Sequence, residues 1–63
     1  MLKIKEFCKI RNISVYRLAQ AAKINEDTLR KRAKLGWEAC HSDGVLMLES
    51  PKGGVHTYKG VEI

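Results

Sequence analysis

The chain has 63 residues, which is room for one domain but not for a separate catalytic domain. Hydrophobic residues make up 44% of it and charged residues 30%, a balance typical of a globular chain. The formal net charge of +5 favours a polyanionic partner. No apolar run reaches the ~18 residues of a membrane span, and the N-terminus lacks a signal peptide's apolar stretch. We therefore expect a cytoplasmic protein with no membrane partner.

Helical periodicity dominates the first part of the chain. Residues 2–11 carry apolar side chains at helical spacing with lysines between them, which predicts a first amphipathic helix. Ser14 is a good N-cap, and a second helix is predicted over residues 15–22. After a short corner, Asn25 is the N-cap of a third predicted helix, which Gly36 ends in a left-handed conformation.

The last third of the chain has β character. Val45–Glu49 and Val55–Tyr58 are rich in strand-forming residues, and the turn-forming sequence SPKGG lies between them. This pattern predicts a β-hairpin at about residues 44–59, after a helical part at about residues 2–36. The expected fold class is α+β. One domain, residues 1–63, would hold three short helices containing a helix-turn-helix, followed by a C-terminal β-hairpin.

Residues 15–34 fit the frame of a helix-turn-helix. The positions of that frame that are normally apolar fall on Leu18, Ile24 and Leu29. Ala19 falls where the two helices cross, and its small side chain allows them to approach each other. These matches predict that the second and third helices form the helix-turn-helix pair.

Two positions depart from that frame. Lys23 stands at the corner, where a glycine usually adopts a left-handed backbone. Arg32 stands at a normally apolar position, and we expect its stem along the core edge with its head in water. We expect Trp37 and Tyr58 to pack against the core rather than to contact DNA, and His56 to lie at or near the surface.

The second helix of a helix-turn-helix, which is the third predicted helix of this chain, is the recognition helix that enters the major groove of DNA. Arg30 is the best candidate for a guanine, because its planar fork matches O6 and N7 together. The predicted base contacts are Asn25, Asp27, Thr28, Arg30, Lys31 and Lys34. The predicted contacts to the DNA backbone, which position the protein without reading sequence, are Ser14, Tyr16, Arg17, Gln20 and Lys52.

The same helix also fits a simpler interpretation, a solvated face. Glu26 with Arg30, and Asp27 with Lys31, are acid-before-base pairs at i, i+4, which stabilise an exposed helix without any partner. The two acids at the start of the helix also repel phosphates, unless Glu26 accepts a hydrogen bond from a cytosine N4.

The order of these elements resembles that of phage Cro-type repressors. The resemblance covers nearly the whole chain, from IKEFCKIRN through LAQAAKINEDTLRKRAK to GVLMLESPKGGVHTYKGVEI. It implies a small transcriptional regulator in the bacterial cytosol, associated with the nucleoid, that binds double-stranded DNA. Two alternatives stay open. One is an excisionase-like factor that bends DNA, with the hairpin as its wing; the other is a module that docks the same helix pair on a protein.

No catalytic or metal site is expected. Cys8, Cys40, His41 and His56 could supply four metal ligands, but none of the usual short spacings is present. There is no recognisable serine, histidine and acid set, and no phosphate-binding glycine loop. We therefore expect no enzymatic activity, no cofactor and no small-molecule substrate.

The predicted hairpin is apolar on both faces. Leu46 and Leu48 would share one face and cover the helices, whereas Val45 and Met47 would share the other and need a second cover. We expect a homodimer through the hairpin, which would place two recognition helices about one DNA turn apart, ~34 Å. The alternative is a monomer in which the C-terminal VEI folds over that second face.

Overall fold

A computed structural model describes residues 1–63. The elements, in chain order, are β1 (Leu2–Lys3), α1 (Ile4–Arg11), α2 (Val15–Ala22), α3 (Glu26–Lys34), β2 (Glu38–Ser42), β3 (Val45–Glu49) and β4 (Val55–Tyr58). The strands form one antiparallel sheet in the order β1-β2-β3-β4. The predicted α+β class, with three helices followed by C-terminal strands, is confirmed. None of the helices has the length and apolar character needed to cross a membrane.

The N-caps of α2 and α3 are the two predicted ones. Ser14 Oγ accepts a hydrogen bond from Arg17 N at 2.9 Å. Asn25 Oδ1 accepts one from Thr28 N at 3.2 Å. Each cap satisfies a backbone donor that the first helical turn leaves without a partner, which is why both helices begin where they do.

Each helix is followed within two residues by a residue with positive φ. The values are +56° at Asn12, +58° at Lys23 and +94° at Gly36. In each case this residue and its successor donate backbone N–H groups to carbonyls of the last helical turn. Lys23 therefore adopts the conformation that glycine usually adopts at this corner, at a cost of ~1–2 kcal/mol.

The N-terminus differs from the prediction. Leu2–Lys3 forms an edge strand, and α1 begins only at Ile4. Leu2 pairs with Ala39, and Lys3 pairs with Glu38. The free edge of β2 supplies this backbone pairing, which a helix reaching back to residue 2 would lose.

The sheet contains a further strand outside the predicted elements. β2 joins β3 through the two-residue turn Asp43–Gly44, with φ values of +51° and +76°. Positive φ at both positions suits the right-handed twist of the flanking strands. The predicted hairpin is confirmed as β3 and β4, which pair from Leu46↔Tyr58 to Glu49↔Val55.

The core lies between the helices and one face of the sheet. β3 alternates between its two faces: Leu46 and Leu48 are fully buried, whereas Val45 and Met47 are half-buried on the other side. The buried residues are Ile4, Phe7, Cys8, Leu18, Ala19, Ala22, Leu29, Ala39, Leu46, Leu48 and Val61. We call the side of the sheet that carries Cys40, Val45, Met47 and Thr57 the outer face.

The C-terminal tail closes the helix-facing side of the core. Val61 N donates to Gly44 O at 2.8 Å, and Val61 O accepts from His41 Nε2 at 2.6 Å. His41 pairs with the buried Leu46 and so lies on the helix-facing side of the sheet. The tail therefore belongs to that side, not to the outer face, where the monomer alternative would have placed it.

Candidate nucleic-acid interface

The α2–α3 pair has the construction expected of a helix-turn-helix. Residues 23–25 form the corner between the two helices. Leu18 and Leu29, one from each helix, are fully buried, and Ala19 is buried between them in sequence. Ile24 is half-buried and packs against the same core. The core thus fixes one side of α3 and leaves its other side in solvent.

The exposed side of α3 holds five of the six predicted base contacts. Only Leu29 is fully buried in this helix, and Ala33 is half-buried. Lys31 follows Leu29 by two positions and so points almost directly away from the core. The exposed residues are Asp27, Thr28, Arg30, Lys31, Lys34 and, before the helix, Asn25.

One of the basic side chains on this face of α3 is paired with an acid, and two are not. Arg30 Nη2 lies 2.6 Å from Glu26 Oε2, and Arg30 Nε donates to the same oxygen at 2.7 Å. This predicted i, i+4 pair is confirmed, whereas Asp27 and Lys31 form no ion pair. Lys31 and Lys34 thus carry positive charges without a carboxylate partner, while Arg30 is held along the helix.

The residues predicted to contact the DNA backbone lie in two parts of the structure. Ser14, Tyr16, Arg17 and Gln20 are exposed at the start and along one side of α2. Gln20 Nε2 donates to Tyr16 Oη at 2.9 Å, which orients both side chains. Lys52 is exposed at the tip of the β3–β4 hairpin, away from α2 in sequence and next to the end of α3 in space.

The position of the Arg32 side chain differs from the prediction. Its head does not extend into water: Nη1 donates to Tyr58 Oη at 3.0 Å, and the guanidinium lies 4.5 Å from the centroid of the Trp37 ring. The partly buried phenol and indole supply an acceptor and a π-face close to the helix, which together hold the cation. Trp37 and Tyr58 pack against the core as predicted. Arg32 therefore ties α3 to β4.

A trough runs between α3 and the hairpin tip. It consists of two adjoining cavities of about 290 and 600 Å³ that share Leu35 and Trp37. Lys31 lines the α3 side, and Pro51 and Lys52 line the hairpin side. No sequence signal predicts this feature, because its two sides come from elements distant along the chain.

The four residues considered as metal ligands are not brought together. Cys8 is buried in the core, where burial raises the pKa of its thiol. Cys40 lies on the outer face, and His41 bonds to the C-terminal tail. The ring of His56 meets Trp37 edge-on, with 5.3 Å between centroids.

Comparisons with known proteins add no relative. The chain has no significant match to a protein-family model, a curated protein or a solved structure. The resemblance to Cro-type repressors therefore stays a prediction from the order of elements. The charge and geometry of α3 are the basis for a proposed function.

Proposed function

We propose that the chain binds double-stranded DNA sequence-specifically, as a small phage-type transcriptional regulator with α3 in the major groove. The observation that carries this proposal is the exposed face of α3, where Lys31 and Lys34 have no carboxylate partner. A helix fits the major groove, which is ~12 Å wide. The capped corner at Asn25 and the buried Leu29 hold this helix in one orientation.

The residues have different roles in this proposal. Lys31, at the centre of the exposed face, approaches base edges or phosphates most directly. Arg30 reads a guanine only after exchanging Glu26 for the base, so this contact has a competitor within the helix. Asn25 and Thr28, at the start of α3, reach bases with their remaining polar groups. Arg17, on α2, contacts phosphates and sets the register.

A two-fold dimer through the hairpin is part of the proposal. Neither the helices nor the C-terminal tail covers the outer face, where Val45 and Met47 remain half-exposed. Apolar side chains on such a face favour association with another protein surface. A second copy is the partner that a palindromic DNA site requires.

One observation also supports the excisionase-like alternative. The hairpin tip stands beside the end of α3 with Lys52 exposed, so one chain could contact DNA with both elements. An architectural factor of this kind would bind as a monomer and bend its site. Bending of the bound duplex, measured by the gel mobility of circularly permuted fragments, distinguishes it from the regulator.

The test of the function is selection of bound duplexes from a random DNA pool, followed by affinity measurements over a range of salt. We expect an enriched sequence and a steep loss of affinity as salt rises. Combining Lys31→Ala with Lys34→Ala should reduce the salt slope by about two, one per lost phosphate contact. A pool without enrichment would show that the proposal is wrong.

The matched control removes the same charge elsewhere. Lys5 and Lys9 are exposed on α1, outside the helix-turn-helix pair. Combining Lys5→Ala with Lys9→Ala should leave the affinity and the salt slope close to those of the wild type. Equal losses in the two double variants would mean that net charge, and not the face of α3, governs binding.

A further inference from the structure

We propose that the trough between α3 and the hairpin tip seats the sugar–phosphate backbone of one DNA strand. The inference rests on the proposed function, because it assumes that α3 meets duplex DNA. It deepens that function by assigning the predicted backbone contact at Lys52 to a defined surface, the trough, which Leu35, Trp37 and Pro51 also line. The trough would receive the strand bordering the groove that α3 enters.

The charges around the trough suit a phosphate chain. Lys31 stands on the α3 side and Lys52 on the hairpin side, and both are exposed. Neither forms an ion pair. Asp27 is the one acidic residue along the trough, and it lies at the end far from the hairpin tip. A polyanion that follows the trough would meet Lys31 in the cavity beside α3 and Lys52 in the cavity beside the hairpin tip.

The floor of the trough is apolar. Leu35 is 63% exposed, and Pro51 is exposed as well. Leu35 and Trp37 line both cavities, and Pro51 lines the larger one. A DNA strand alternates phosphates with sugars whose C–H groups are apolar. Cations on the sides and an apolar floor match that alternation, whereas a purely phosphate-binding cleft would not need Leu35 and Pro51.

The trough is held in shape before any ligand arrives. Arg32 lies over the Trp37 ring and donates to Tyr58, which fixes the floor from the core side. At the hairpin tip, Ser50 N donates to Gly54 O at 2.7 Å, and Gly54 N donates to Ser50 Oγ at 3.0 Å. A rigid floor and a rigid tip reduce the ordering cost of binding.

Trp37 offers a direct readout, because it is the one tryptophan in the chain. Its emission should change as a selected duplex is added and should saturate together with the anisotropy of labelled DNA. If the anisotropy reports binding while Trp37 emission stays constant, the trough is not occupied, although the proposed function stands. If neither signal changes, the proposed function fails and this inference falls with it.

Two matched pairs of variants test the contacts. Leu35→Glu places a carboxylate in the trough and should weaken binding about tenfold or more, since like charges oppose each other. Ile10→Glu, at a side chain on α1 that is 69% exposed, should not weaken binding. Lys52→Gln should weaken binding to all sequences and lower the salt slope by about one, whereas Lys9→Gln should not.

The variants also define the result that overturns the inference. Leu35 and Lys52 are exposed, so circular dichroism should show that both variants remain folded. If Leu35→Glu and Lys52→Gln bind the selected duplex as tightly as Ile10→Glu and Lys9→Gln, DNA does not enter the trough. The hairpin tip then has no part in DNA binding.

Discussion

The exposed face of α3 and the outer face of the sheet are both left uncovered, but their chemistry differs. On α3, Lys31 and Lys34 are exposed and unpaired. On the outer face, Val45 and Met47 are half-buried among neighbouring strands, and Lys3 lies 3.7 Å from Glu38 at one end. The first surface suits a polyanion, and the second suits another protein. These are the surfaces that we propose for DNA and for a second copy of the chain.

The largest effect should separate the two faces of β3. Leu48 is fully buried among the helices, so Leu48→Ala should lower the free energy of unfolding by ~2–5 kcal/mol through lost contacts and a cavity. Met47→Ala, one residue away on the outer face, should cost a fraction of that. Urea unfolding at low protein concentration measures both. Equal losses would mean that the outer face is as tightly packed as the core.

A charge on the outer face should break the proposed dimer. Met47→Lys would bury an ammonium group in an apolar interface and should weaken dimerisation at least about tenfold, or ~1.4 kcal/mol. Sedimentation at micromolar concentration should show a dimer for the wild type and a monomer for the variant. A wild-type monomer that still binds a half-site would show that the proposed dimer is wrong and would favour the excisionase-like alternative.

Arg30 tests the reading role of α3. Arg30→Ala should cost ~1–3 kcal/mol at the selected site and relax the preference at one base pair. Glu26→Ala frees the guanidinium from its intrahelical partner, so it should tighten binding instead. Affinities for a panel of single-base variants of the site measure both effects. Unchanged affinity and selectivity in Arg30→Ala would show that another residue reads the DNA.

The corner before α3 should gain stability from a glycine. Lys23 holds a φ of +58°, so Lys23→Gly should raise the free energy of unfolding by about 1 kcal/mol. Lys31→Gly, at a central position of α3, should lower it by a similar amount. Thermal unfolding compares the two variants. A loss of stability in Lys23→Gly would mean that the lysine stem contributes more than its backbone conformation costs.

The smallest expected effect comes from pH. Burial raises the pKa of the Cys8 thiol above its ordinary value of 9.0. As the pH rises above 9.0, the thiol therefore loses its proton in the unfolded chain before it does so in the folded one. This deprotonation favours the unfolded chain, so the free energy of unfolding falls as the pH rises above 9.0. Urea unfolding across this range should show a shallower fall for Cys8→Ala.

The helical part could be predicted well because its signals are local. Ser14 and Asn25 cap the helices they precede, and Gly36 takes the left-handed conformation that ends α3. The alternation of Leu46 and Leu48 with Val45 and Met47 follows directly from the two-residue period of a strand. Each of these features depends on residues within a few positions of one another.

The other half of the sheet depends on partners far along the chain. β1 forms because Leu2 pairs with Ala39, which is far along the chain, and no local sequence pattern predicts this pairing. β2 did have a signal: Asp43–Gly44 is a strong two-residue hairpin turn, and strands on both sides of it follow. The hydrogen bond from Arg32 to Tyr58 links α3 to the hairpin, and the trough lies between the same two elements. Neither feature could be predicted from the spacing of residues in the sequence.

The proposed contact of α3 with DNA can be examined residue by residue from the NMR chemical shifts of the backbone amides in the isotope-labelled chain. We expect titration with the selected duplex to change the amide chemical shifts of residues 25–35 and of residues at the start of α2. The amides of Cys40, Val45 and Met47, on the outer face, should stay near their free positions unless dimerisation is coupled to binding. Chemical-shift changes confined to the outer face, with α3 unchanged, would show that α3 does not contact DNA.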